Sequence, residues 1–144
     1  MFRAMFRTLF WDQDDGELLR DANSDSSRRK LELMGAILGR MKRVLSERNI
    51  NFLVVIIPSY GGVESLRVRG DDALIKPNRL ARAICEREGI AYLDMLDHMT
   101  GRGDASPGDA LEMYETTTYH LNARGNELVA RAVFERLSRQ VTQP

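Results

Sequence analysis

From about Ser27 to Asn49 the apolar positions Leu31, Met34, Leu38, Met41 and Leu45 recur every three or four residues, and Ile37 and Val44 widen the stripe. This spacing predicts an amphipathic helix laid on a core. Gly35 and Gly39, four apart on that helix, would let it approach a sheet closely at some cost in helix stability. The pattern then changes to "NFLVVII", a continuous bulky and β-branched run ended by Pro58, which reads as a parallel strand covered on both faces. Residues 59–75 read as a long loop. A second helix is expected from about Lys76 to Glu88, with Leu80, Ile84 and Cys85 inward and Gly89 as its stop, and "IAYLDM" supplies a second strand. Strand, helix and strand at this spacing form a right-handed βαβ unit with parallel strands. A loop rich in Gly, Asp and Thr leads to a closing helix from Asn122 to about Arg139, with Leu128, Val129, Ala132, Val133 and Leu137 facing in.

The expected class is therefore α/β, a parallel sheet layered between helices in a three-layer α/β/α arrangement. Only two strands are evident, so both sheet edges would be open and the sheet is expected to be incomplete. The chain divides into 1–27 and 28–144. In the first part, Phe2, Met5, Phe6, Leu9 and Phe10 fall on one helical stripe, and residues 12–27 are acidic, Ser-rich and read as a surface loop. The stripe suits a helix docked on the rest of the protein better than one lying on a membrane surface, because ten residues bury little area in a bilayer.

Composition narrows the function classes. With 144 residues and 43% apolar content the chain supports one core. Twenty-one basic residues balance twenty-one acidic ones, which gives nucleic-acid binding no electrostatic basis. The single cysteine, Cys85, excludes an internal disulfide. No apolar run is long enough to span a bilayer and the N-terminus lacks a signal-peptide core, which leaves a cytoplasmic location as the default.

In open α/β sheets, sites form beyond the carboxyl ends of the strands, which directs attention to Ser59 in "PSYGG", Asp94 in "YLDM" and the loop histidine His120. Histidine titrates where proton transfer near neutral pH requires it. "PSYGG" has neither Gly-x-Gly-x-x-Gly spacing nor a lysine partner, so no nucleotide cofactor is expected. Asp94, Asp97, His98 and His120 have no metal-ligand spacing.

The block "YHLNARGNELVARAVFERL" resembles the last motif of the SGNH hydrolases, the GDSL esterases and lipases. There an Asp, two variable residues, His, Leu, Asn, two variable residues and Gly precede an apolar-periodic helix. The order of elements over about residues 30–139 resembles the C-terminal part of that domain. The resemblance implies a flavodoxin-like fold and hydrolysis of a small ester or acylated substrate, with His120 as general base. It also exposes departures. Thr117 stands at the acid's position, with Glu115 two residues upstream as a substitute, and the family's Gly-Asp-Ser block is absent; "GDAS" at 103–106 lies in the wrong place and "GNE" at 125–127 falls inside the closing helix.

A rival reading takes Ser59, Asp94 and His120 as a triad in the chain order of α/β-hydrolases, although Ile57 stands where their nucleophile turn carries glycine. Under either reading activity would be weak. A non-catalytic relic or interaction module on an α/β scaffold is the competing class, and the apolar N-terminal stripe predicts self-association or a missing N-terminal half as its partner.

Overall fold

The computed structural model describes residues 16–100, 111–115 and 117–141. The stripe at residues 2–10 and the "GDAS" at 103–106 lie outside the described residues. Within them the chain is a mixed, helix-rich α/β protein with one small two-stranded parallel sheet. The helices are α1 (Gly16–Arg20), α2 (Asp25–Ser46), α3 (Tyr60–Glu64), α4 (Lys76–Arg87), α5 (Leu96–Thr100) and α6 (Ala123–Val141); the strands are β1 (Leu53–Ile56) and β2 (Ala91–Asp94).

Helix α2 begins where its sequence supplies a cap: the Ser24 hydroxyl accepts from the Ser27 amide at 3.1 Å, and Asp25 sits in the positive first turn. It ends with Asn49 in the left-handed region at φ 56° while the Ile50 amide reaches back to the Leu45 carbonyl at 2.9 Å. Helix α4 closes the same way, with Gly89 at φ 61° and the Ile90 amide donating to the Cys85 carbonyl at 2.8 Å. The glycine stop expected at 89 is thus present.

The two helices meet at that closure. Lys42 Nζ donates to both the Glu88 and Gly89 carbonyls at 2.9 Å. Gly35 and Gly39 are buried beneath the side chains of Arg87 and Glu88. These glycines therefore admit the end of α4, not the sheet. This contact leaves the Ile37 and Met41 side of α2 outward, correcting the expectation that the stripe is buried throughout its width.

The strands pair in parallel with Leu53 opposite Ala91 and Ile56 opposite Asp94. Among the described residues each strand has one neighbour, and β1 is half-buried until Ile56 instead of covered on both faces. Alternate side chains reach different partners. Val55 and Leu93 join a cluster with Val63, Met95, Met99, Met113, Tyr114 and the α6 residues Leu128, Val129 and Ala132. Ile56 instead lines a cavity of about 450 Å³ with Leu31, Met34, Pro77 and Leu80 from α2 and α4.

Three further readings are revised. Part of the expected loop at 12–27 is the short helix α1, whose Leu18 lines the same cavity as Leu31. The expected loop at 59–75 is mostly helical: α3, a π turn at Ser65–Arg69 and a 3₁₀ turn at Ala73–Ile75, held by the fully buried Val63 and by Ile75. Each turn is too short to show a period. On α6, Ala132 is buried but Leu137 is exposed, because the core lies against the first half of that helix only.

Candidate functional site

Ser59 and His120 line one open groove of about 600 Å³ beyond the carboxyl end of β1, together with Ile57, Pro58, Tyr114, Tyr119 and Asn126. Ser59 arrives there by a strand–turn–helix path. Pro58 breaks β1, and the Ser59 side chain caps α3 by accepting from the Gly62 amide at 3.2 Å. A β-carbon on Gly62 would sit 3.2 Å from Ile75 Cγ2 and from the Leu74 carbonyl, so the turn is tight at that point.

His120 arrives by a narrow reversal of the chain. Tyr114 and Leu121 form an antiparallel bridge, and the Asn122 amide donates to the Met113 carbonyl at 3.0 Å. Between them the Glu115 amide donates to the His120 carbonyl at 2.8 Å and the Tyr119 amide to the Glu115 carbonyl at 2.9 Å. The motif residues after the histidine have structural work. Asn122 Oδ1 accepts from the Gly125 amide at 3.0 Å, capping α6 as its sequence position predicts, and its Nδ2 donates to the Glu112 carbonyl. Gly125 is buried, and a β-carbon there would overlap the Met113 carbonyl oxygen.

The two arms are tied together by Tyr114, whose hydroxyl donates to the Pro58 carbonyl at 2.8 Å and contacts Met99 Sδ at 3.2 Å. Burial of this phenol pushes its pKa up to about 12, because the phenolate would lose its hydration. Tyr60 stands edge-on to Tyr114, centroids 5.7 Å apart, and packs against Tyr119 at 5.2 Å. Its own pKa is raised, first by desolvation and then by the nearby Glu64 carboxylate.

The remaining candidates are elsewhere or engaged. Asp94 lines a separate polar cleft with Asp72, Arg79, Arg82 and Asp97, and its Oδ1 accepts from the Leu96 amide at 3.0 Å, the backbone-capping role common at strand ends. The order Ser59, Asp94, His120 therefore does not assemble as a triad. Glu115 accepts at Oε2 from the Thr118 hydroxyl at 2.9 Å, and Thr117 is exposed beside it. Among the described residues no hydrogen bond joins the His120 ring to Ser59, Glu115 or Asp94.

Among the described residues no group of His, Cys, Asp and Glu gathers as a metal cage, and no helix is long and apolar enough to cross a membrane. Cys85 is fully buried on the inner face of α4, where desolvation raises its thiol pKa. Nothing local in the sequence marks Tyr114 or Tyr119 for the site: Tyr119 adjoins His120, but the Tyr114–Pro58 pair lies 56 residues apart and has no local signature. No family model, curated protein or solved structure matches this chain.

Proposed function

We propose that this chain is an SGNH hydrolase-like protein that cleaves small esters, with His120 as general base and Ser59 as the nucleophile it activates. The three-layer α/β/α arrangement belongs to the same proposal, supported by the way alternate β1 side chains meet α6 in one direction and α2 and α4 in the other. The observation that carries the activity is the common groove of Ser59 and His120, closed on one side by the Tyr114–Pro58 hydrogen bond.

In this reading the imidazole takes the Ser59 hydroxyl proton as the oxygen attacks the acyl carbonyl. Collapse of the tetrahedral adduct expels the alcohol, which takes that proton from the imidazolium, and water then releases the acid by the same route. Ser59 must first let go of the Gly62 amide, a cap worth about 1 kcal/mol. Among the described residues no carboxylate is bonded to the ring, and neutralising the acid of a triad costs about 10⁴ in rate, so turnover is expected to be slow.

Thr117 at the acid's position and Glu115 engaged by Thr118 favour a second reading, a non-catalytic module that retains the scaffold. Hydrolysis of small aryl esters by wild type, Ser59→Ala and His120→Ala separates the two. Slow hydrolysis lost in both variants is the expected result, whereas rates equal to the uncatalysed reaction in all three proteins leave the module.

A further inference from the structure

We propose that Tyr119 is a specificity-determining residue of the groove, its ring forming a wall for a flat ring on the ligand, either an aryl group or the C–H face of a sugar. The identification of that ligand as an ester rests on the hydrolase reading above; the wall itself rests on the geometry of three tyrosines.

Tyr119 holds φ at 59°, a conformation rare for residues with a side chain. The turn needs such a φ, but glycine would provide it without strain, so the turn does not explain a tyrosine. In extended chain, consecutive side chains point to opposite sides. With the left-handed residue in place, Tyr119 and His120 both line the same groove.

The ring is braced from the core outward. Tyr114 is fixed by its bond to Pro58, Tyr60 stands edge-on to Tyr114, and Tyr119 rests against Tyr60 with 37° between the ring planes. Yet Tyr119 remains 59% exposed. A ring held in place on one side and open on the other, beside the candidate base, is a stacking surface; aromatic contacts of this kind favour a flat partner over a flexible chain by roughly fivefold.

The test is an NMR titration of wild type, Tyr119→Phe and Tyr119→Gly with phenylphosphonate, n-hexylphosphonate and methyl glucoside, following the His120 imidazole and tyrosine ring signals. One of the two ring ligands is expected to shift both sets of signals in wild type and Tyr119→Phe, and which one does so distinguishes an aryl from a sugar ligand. It should bind roughly fivefold more tightly than the hexyl compound. In Tyr119→Gly that preference should vanish while the protein still folds, because glycine keeps the left-handed turn. A ring preference unchanged in Tyr119→Gly, or absent from wild type, overturns the assignment. Ring binding that depends on Tyr119 without ester turnover in any variant supports the wall and removes only the hydrolase reading.

Discussion

The Tyr114 hydroxyl donates to the Pro58 carbonyl at 2.8 Å, joining positions 56 residues apart at a buried point between the Ser59 turn and the His120 reversal. Tyr114→Phe keeps the ring and leaves the Pro58 carbonyl unpaired. Thermal or urea unfolding should show a loss of about 1–2 kcal/mol, with ester turnover falling further than stability alone explains.

The same phenol predicts a dependence on alkaline pH. Its folded pKa is raised from 10.0 to about 12, so the unfolded chain ionises first. Between those values the folded state holds more protons than the unfolded one, and stability contributed by the neutral buried phenol is present below pH 10 and lost as pH rises towards 12. Melting curves of wild type and Tyr114→Phe should converge over this interval, and a constant difference would contradict the assignment.

The block after His120 is expected to act through structure. Asn122→Ala removes the α6 cap and the tie to Glu112, costing about 1–2 kcal/mol. Gly125→Ala drives a methyl group into the Met113 carbonyl and within 2.9 Å of Leu121 Cδ2, costing about 1–3 kcal/mol or more. Denaturant unfolding should rank Gly125→Ala as the more damaging of the two.

The exposed apolar residues Leu33, Ile37 and Met41 on α2, with Phe134 and Leu137 on α6, predict self-association. Sedimentation at micromolar concentration should show a species larger than the monomer, and Ile37→Glu with Met41→Glu should shift it towards monomer. A monomer with cooperative melting would count against this.

What was legible in the sequence was what is local. The period of α2, the Gly89 stop, the run of β1 and the Asn122 cap each depend on residues within a few positions of one another, and each is present. The partners of those elements were not legible. Gly35 and Gly39 announced a close contact but could not say that α4, and not the sheet, would fill it. Leu137 belongs to the apolar period of α6 and still faces solvent, because a period marks a face and not how far its neighbour extends. At the site, His120 stood out by its chemistry, whereas Ser59 gained weight only when the Tyr114–Pro58 bond brought two distant turns to one groove.

The most direct test of the Ser59–His120 pairing is labelling of the intact chain with a serine-reactive fluorophosphonate, followed by peptide mapping, in wild type and His120→Ala. The pairing predicts a label on the peptide that holds Ser59 and a labelling rate lowered about a hundredfold or more by His120→Ala, the smaller end of what a general base contributes. No label at Ser59, or a label whose rate is indifferent to His120, would contradict it.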